Sequence, residues 1–436
     1  MRSELSTASL RPDLPPFPEL LNSHLSRRSF NEGGTINPQL RSSVTRENNF
    51  LSILKSSRLS EGMRMPRATI TSDDLRRFAV ARSLFPPTTL RRAIARMHFV
   101  QADPIRAPAR AQDLILRHRV EGYRAGDLER NYAALRIEED TFVNYGFVTR
   151  ELQALMHPRP DVRVPAEGLQ AWSAAERKKA ELLLAFLQSR GEVHPREVEE
   201  HFAHGRVRNY WGGSSNATTQ MLDALHYRGL ARVVRRENGI RIYRAHQHEP
   251  ALLTEAERRT RIDALVDVVV NIYAPLPGSS LSFYIRRLRY AVPQWRNEIP
   301  AAQKRARERL AHARVAGVDW YWPEGENLQR AVIPKSVRLL APFDPIVHDR
   351  TRFELLWNWT YRFEAYTPAP KRKLGYYALP LLWRDRVIGW TNLTVKNGAL
   401  LADSGYVHSR PPKDRAFQRE LDAELDRIRF FLGLPT

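Results

Sequence analysis

The fold is indicated most directly by one stretch of the chain, Leu230-Ala-Arg-Val-Val-Arg-Arg-Glu-Asn-Gly-Ile-Arg-Ile-Tyr-Arg244. Apolar and basic residues alternate on both sides of Asn238-Gly239, and an Asn-Gly pair between such segments is among the strongest short-range signals for a β-hairpin. Three helical patterns precede it, marked by Leu182 to Leu187, Pro195 to Phe202, and Met221 to Leu225. Three helices followed by a basic hairpin predict a winged-helix unit over residues 173–246, with the hairpin as its wing.

A similar order of elements comes earlier in the chain. The stretch Thr71-Ser72-Asp73-Asp74 can cap a helix that Pro86-Pro87 ends, and Thr88 or Thr89 can cap the next helix. An extended segment at 99–103 follows, and residues 112–157 are predicted as further helix. This order predicts a first winged-helix unit over residues 67–160, with a candidate catalytic motif in its extended segment.

The remainder of the chain is predicted in three parts. Residues 255–323 form a third winged-helix unit, with helices at 258–272, 279–288 and 301–315 and a strand at 318–322. A β-rich domain spans 335–410, with strands at 361–366, 374–383, 387–395 and 399–406 and a second Asn-Gly turn at Asn397-Gly398. An amphipathic helix closes the chain within 411–436. The predicted fold class is therefore α+β.

The charge of the chain belongs to its folded part. Lys and Arg number 69 against 48 Asp and Glu, a net charge of +21, and residues 1–66 carry nine basic and six acidic residues, which leaves +18 for residues 67–436. Because residues 1–66 are rich in Ser, Asn and Pro and have no apolar periodicity, they are predicted to be a disordered extension. A basic folded part indicates nucleic acid or another anionic partner.

Several classes of protein are disfavoured by what the sequence lacks. There is no cysteine, so disulfides, thiolate metal sites and a cysteine nucleophile are excluded. No apolar run of about 18 residues predicts a membrane span, no signal peptide is visible, and we expect a cytoplasmic protein. The 13 histidines show no metal-ligand spacing, and without a Gly-rich phosphate loop no nucleotide cofactor is expected.

The candidate catalytic residues are Gln101 and Asp103, separated by the small Ala102. Extended backbone directs residues i and i+2 to the same face, so a carboxylate and an amide could together hold a water molecule and face a developing positive charge. Arg106 and Arg110 follow, as a site for an anionic polymer requires. The alternative is that Asp103-Pro104 is only a turn signal, because Gln-x-Asp is a very weak motif.

Two basic elements are candidate DNA contacts. In the predicted wing, Arg235 and Arg236, together with Arg232 and Arg241, could bind phosphates. The alternative is that their charges only prevent an exposed strand edge from pairing with other chains. In the loop at 366–373, prolines fix the backbone while Lys371, Arg372 and Lys373 are displayed.

Three longer stretches carry a family resemblance: Leu339-Leu-Ala-Pro-Phe-Asp-Pro-Ile-Val-His-Asp-Arg350, Tyr361-Arg-Phe-Glu-Ala-Tyr-Thr-Pro-Ala-Pro-Lys-Arg-Lys373 and Gly375-Tyr-Tyr-Ala-Leu-Pro-Leu-Leu382. They closely resemble the YcaQ/AlkZ-type crosslink-repair DNA glycosylases, and the resemblance extends in order over about residues 70–410. It implies three tandem winged-helix (helix-turn-helix) units and a C-terminal β-rich domain, curved around a DNA-binding cavity.

The resemblance also implies a site and an activity. The family motif is Gln-Φ-Gln in one branch and Gln-Φ-Asp in the other, and Gln101-Ala102-Asp103 matches the second. The implied protein is a monofunctional DNA glycosylase that removes alkylated purines, including N7-alkylguanine and interstrand crosslinks, from double-stranded DNA without a cofactor. We expect it to act as a monomer at the nucleoid.

The sequence departs from the family pattern at one place near the motif. Many relatives carry Trp-(Gly/Ala)-His-Glu-Ala where this chain has Tyr145-Gly-Phe-Val-Thr149, so the histidine is absent. The alternative function is therefore a non-catalytic winged-helix DNA-binding protein or transcriptional regulator. An RNA-binding module is not favoured, because no aromatic-rich strand of the RNP type is evident. Lesion preference stays open.

Overall fold

The structure is a computed structural model that describes residues 69–159, 173–202, 206–208, 214–247 and 253–435. The predicted disordered extension at 1–66 lies outside the described residues. Within them, helices and sheets are mixed, in agreement with an α+β class. None of the helices in these ranges is both long and apolar enough to cross a membrane.

The first region contains helices α1 to α5 and strands β1 to β3. In chain order these are α1 (Ser72–Ser83), α2 (Leu90–Met97), β1 (Phe99–Gln101), α3 (Ala111–Leu116), α4 (Asp127–Arg130), β2 (Ile137–Thr141), β3 (Tyr145–Thr149) and α5 (Arg150–Met156). Thr71 caps α1, within the predicted cap segment, and of the two candidates for α2 it is Thr89 that caps the helix. The three strands form an antiparallel sheet in the order β1-β3-β2.

The prediction of further helix over 112–157 is wrong in part: α3, α4 and α5 lie there, but β2 and β3 form a hairpin between α4 and α5. The misleading segment is β2, which reads Ile-Glu-Glu-Asp-Thr and has no polar–apolar alternation. All five of its residues are nevertheless buried, since arginines from elsewhere in the chain neutralise its carboxylates.

The second region combines helices with two small antiparallel sheets. It has α6 (Ala174–Arg190), β4 (Glu192–Val193), α7 (Pro195–Phe202), β5 (Arg206–Arg208), β6 (Ser214–Asn216), α8 (Ala217–Tyr227), β7 (Ala231–Glu237) and β8 (Ile240–Ala245). The predicted hairpin turn at Asn238-Gly239 is confirmed: the two residues have φ angles of 51° and 86°. The helices and the sheet β4-β8-β7 share one small core.

The third region packs three helices on a sheet. Its elements are α9 (Glu255–Tyr273), β9 (Leu276–Pro277), α10 (Gly278–Ala291), α11 (Ile299–Arg309), β10 (Ala311–Val315) and β11 (Val318–Trp322). The predicted helix at 301–315 ends early, because residues from Ala311 onward pair with β11 instead. The core of this region also takes in Leu75 and Phe78 of α1 and Leu152 and Met156 of α5.

The C-terminal region is a four-stranded antiparallel sheet flanked by helices. It comprises β12 (Val337–Leu339), α12 (Arg350–Trp357), β13 (Leu379–Trp383), β14 (Arg386–Lys396), β15 (Ala399–Tyr406) and α13 (Arg415–Leu432), with the sheet order β12-β13-β14-β15. The turn at Asn397-Gly398 is confirmed. The strand predicted at 361–366 is absent and that predicted at 374–383 starts only at Leu379, because residues 361–378 wrap as a loop around the buried Glu364.

Buried arginines tie these regions together. Arg159 donates to the backbone carbonyls of Ala291 and Tyr227 and to the Asp140 carboxylate, at 2.7–2.8 Å. Arg119 holds Asp344 with two hydrogen bonds of 2.8 and 3.0 Å between fully buried side chains. Because each arginine serves partners from distant parts of the sequence, the first region is fixed against the three others.

Candidate active site and nucleic-acid interface

The candidate catalytic motif lies where β1 ends. Gln101 is the last residue of β1 and stands opposite Gly146 of β3. A side chain at Gly146 would overlap the Val100 carbonyl and the Gln101 backbone, so glycine there allows the two strands to approach. The Ala102 N–H donates to the Tyr145 carbonyl at 3.1 Å, which fixes the chain as it leaves the strand.

The two candidate side chains have different environments. Gln101 is 7% exposed, and its Oε1 has no hydrogen-bond partner within the described part of the chain. Asp103 is half-buried, and its Oδ1 accepts the Ile105 N–H at 2.9 Å in a turn. The shared face was predicted from the alternation of side chains along a β-strand. Because β1 ends at Gln101, that alternation does not extend to Asp103. That the two side chains converge on one point stays a prediction.

Two further polar residues at this site were missed by the sequence analysis. The Oε1 of Gln112, a buried residue of α3, is 3.4 Å from the Asp103 backbone N–H that donates to it. Tyr377 is buried beside the same segment, and its hydroxyl has no partner among the described residues. Burial raises the pKa of Tyr377 well above its ordinary value, and the negative charge of Asp103 raises it further. A buried polar atom without a partner indicates a place for water or substrate.

The two arginines that follow the motif differ in exposure. Arg106 is exposed and keeps its predicted access to an anionic partner. Arg110 is paired with Glu129, and its guanidinium lies against Gly239 at the tip of the β7–β8 hairpin. Burial lowers the pKa of Arg110. The direct DNA contact predicted for Arg110 therefore lacks support in its surroundings.

The predicted wing faces the first region and is not a free edge. Arg236 donates to the fully buried Glu139 at 2.5 and 2.7 Å, and Arg232 pairs with Glu138. Although burial alone would raise the pKa of Glu139, the Arg236 guanidinium holds it below its ordinary value. Arg232 and Arg236 thus serve an internal interface, and the phosphate contact predicted for Arg236 lacks support in its surroundings.

Arg235 differs from its neighbour. It is partly exposed and pairs with two partly exposed carboxylates, Glu192 and Glu237. Exposed ion pairs of this kind are weak and can exchange partners. Of the four wing arginines predicted as candidate DNA contacts, Arg235 has the most exposed side chain.

One buried carboxylate fixes the backbone of the basic loop at 366–373. The buried Glu364 accepts the backbone N–H groups of Lys373, Leu374 and Gly375 at 2.8, 2.7 and 3.3 Å. Lys371 and Lys373 are exposed. Arg372 instead donates to the Thr367 carbonyl at 2.8 Å and covers the Tyr376 ring. The loop thus displays two lysines on a fixed backbone, as an interface for phosphates requires.

A separate pocket of about 300 Å³ lies at the other end of β1. Its lining includes Arg82, Arg96 and His98 but neither Gln101 nor Asp103. No three described His, Asp or Glu side chains are grouped as ligands for a metal ion.

Comparisons with known proteins agree with this picture. A family model described as AlkZ-like DNA glycosylase matches residues 94–431, which include the motif, the wing and the basic loop. The structure is also similar to that of the Streptomyces sahachiroi DNA glycosylase AlkZ, with a TM-score of 0.55, 14% sequence identity, and coverage of 84% of this chain and 97% of that chain. At this identity the structural likeness is one of fold.

Proposed function

The chain belongs to the AlkZ-like DNA glycosylase family, and on that premise we propose that it is a monofunctional glycosylase. Its proposed substrates are alkylated purines in double-stranded DNA, including N7-alkylguanine and interstrand crosslinks. The observation that carries the proposal is a buried amide, Gln101, whose oxygen has no partner in the described structure, two positions before a half-buried carboxylate, Asp103.

The proposed reaction is hydrolysis at the anomeric carbon. Alkylation at N7 makes the base cationic, so the C1′–N9 bond breaks with its electron pair returning to the base while positive charge builds on the sugar. The Asp103 carboxylate stabilises that charge and accepts a proton from the water whose oxygen bonds to C1′. Gln101 orients the water through its free carbonyl oxygen. No lysine lies between residues 97 and 110, which favours hydrolysis over a Schiff-base step.

We further propose how the chain binds DNA. Three winged-helix units and the C-terminal β-rich domain curve around a DNA-binding cavity, and the protein acts as a monomer in the cytoplasm, at the nucleoid. Arg106, Lys371 and Lys373 contact phosphates directly, since they are exposed. Arg235 is a further candidate once its ion pairs exchange, while Arg110 and Arg236 act indirectly by fixing the interface between the first and second regions.

One observation favours the alternative of a non-catalytic DNA-binding protein. Phe147, which stands where many relatives have a histidine, is fully buried in the core beneath β3. A site that has lost a polar side chain can keep its fold and its DNA affinity without catalysis.

Single-turnover excision separates the two functions. The parent protein is incubated with a duplex containing N7-methylguanine, and abasic sites are cleaved with alkali. Asp103→Asn should lower the rate by about 100-fold or more, as removal of one preorganised electrostatic group does, while duplex affinity stays the same or rises slightly. Gln101→Ala should slow excision less.

The matched control is Asp403→Asn, which removes an exposed carboxylate on β15 and should excise at the parental rate. If Asp103→Asn keeps the full rate, the catalytic assignment is wrong. If the parent is inactive on several alkylated duplexes, the protein is a DNA-binding protein without this activity.

A further inference from the structure

Tyr366 has the most exposed aromatic side chain in the described ranges, with 68% of its surface accessible. It opens the basic loop and precedes Thr367-Pro368. A large aromatic ring that is mostly exposed on a loop is a feature of surfaces that bind a partner.

The backbone beneath this ring is fixed. The Glu364 carboxylate clamps residues 373–375, the Glu364 carbonyl accepts the Thr367 N–H at 3.0 Å, and a short 3-10 turn, Ala369–Lys371, follows Pro368. Because the loop is already ordered, placing the ring against a flat partner costs little conformational entropy.

The ring also stands at the outer end of an aromatic chain that leads to the candidate site. Tyr366 meets Phe363 edge-on at 6.0 Å between ring centroids, and Phe363 meets Tyr377 edge-on at 5.3 Å. Tyr377 is the residue whose hydroxyl lies in the field of Asp103. An exposed ring, a fixed loop, two lysines and the candidate carboxylate thus belong to one continuous part of the molecule.

We propose that Tyr366 is a base-stacking residue: its ring stacks on an exposed nucleobase next to the damaged nucleotide while Lys371 and Lys373 hold the flanking phosphates. This inference rests on the proposed function, because the ligand that it requires is a DNA duplex opened at a lesion. In an intact duplex each base stacks on its neighbours and has no exposed face. In a duplex that lacks one base, a neighbouring base has an exposed face on which the ring can stack. Stacking of a base on an aromatic ring raises affinity by roughly tenfold.

The test compares binding of two duplexes of equal length, one intact and one with a tetrahydrofuran abasic analogue. The parent should bind the abasic duplex roughly tenfold more tightly. Tyr366→Ala should lose this preference while its affinity for intact duplex changes less than about twofold, since a ring without a free base face contributes little. Tyr366→Phe should keep the preference. Tyr376→Ala, at a ring that Arg372 already covers, is the matched control and should also keep it.

The inference is overturned if the parent shows no preference, if Tyr366→Ala retains it, if Tyr376→Ala loses it equally, or if Tyr366→Phe loses it as fully as Tyr366→Ala. The last result would assign the effect to the hydroxyl. Excision of N7-methylguanine is measured in parallel. A parent that prefers the abasic duplex through Tyr366 but excises nothing refutes the proposed function alone, because binding preference needs no chemical step.

Discussion

The hydroxyl of Tyr377 is buried without a partner in the described structure, close enough to Asp103 for the charge of the carboxylate to raise its pKa. Leaving a buried hydroxyl unpaired costs about 1–3 kcal/mol. A protein retains such a group where a substrate or a water molecule completes its hydrogen bonding during function.

Tyr377→Phe should therefore slow excision while leaving the fold intact. We expect the single-turnover rate to fall by roughly tenfold, the size of one neutral hydrogen bond, with duplex affinity unchanged. The free energy of unfolding, measured in urea, should stay equal or rise, because the variant removes an unsatisfied group. A clear loss of stability would show that the hydroxyl has a structural partner instead.

The sequence predicted only part of this site. Gln101 and Asp103 could be named as candidates because they form a compact motif. Tyr377 follows Asp103 by 377 − 103 = 274 positions, and no local pattern connects them. The surroundings of Arg236 could not be predicted for a related physical reason: the sequence gives the charge of an arginine but not the buried carboxylate that faces it.

Among the elements, the two Asn-Gly hairpins offer an internal comparison. Gly239 and Gly398 have φ angles of 86° and 76°, both in the left-handed region. A Cβ at Gly398 would meet nothing within 4 Å, whereas one at Gly239 would overlap the Arg110 guanidinium. A change to alanine therefore tests backbone strain alone at Gly398. At Gly239 it tests backbone strain together with the contact between the wing and the first region.

Gly398→Ala should lower the free energy of unfolding by about 1 kcal/mol from the backbone conformation. Gly239→Ala should lower it by clearly more, since Arg110 must move and its pair with Glu129 is disturbed. Urea unfolding of both variants measures the difference. Equal losses would mean that the contact between Arg110 and the wing contributes nothing to stability.

Element types were predicted best where turn chemistry decided them. Both Asn-Gly hairpins were correct because the turn requires residues that tolerate positive φ. The hairpin of β2 and β3 was missed because its acidic first strand is buried by charge neutralisation, and the usual signal of apolar alternation is then absent. The strand predicted at 361–366 failed because Glu364 organises a loop there.

At the scale of the whole molecule, the wing of the second region docks on the first through buried ion pairs. Glu139 and Arg236 are almost fully buried, so removing one partner leaves an unpaired charge in the interior. Removing both with apolar residues of similar size can be nearly neutral. None of this was visible in the sequence, because the two residues lie 97 positions apart.

Glu139→Gln should destabilise the protein at pH 7 by about 3 kcal/mol, and the double variant Glu139→Leu/Arg236→Met by much less. The pKa of Glu139 is lowered in the folded protein. The stabilisation of the folded protein by the ionised Glu139 is therefore complete above the ordinary carboxyl pKa of about 4.3, and it is lost as the pH falls below that value. Melting temperatures from pH 7 to 3 should converge for parent and Glu139→Gln. If the difference in melting temperature stays constant over this range, the ion pair between Glu139 and Arg236 is not the cause of the lost stability.

The position of α13 has a consequence for how the protein is made. Phe431 of this helix stacks on Tyr123, and Glu424 binds Arg117, so this face of the first region stays uncovered until α13 has been synthesised. Synthesis from Asp103 to Tyr377 takes roughly 15 to 55 seconds at the usual rate of elongation. During that time the nascent polypeptide has the Asp103 carboxylate without its tyrosine neighbour.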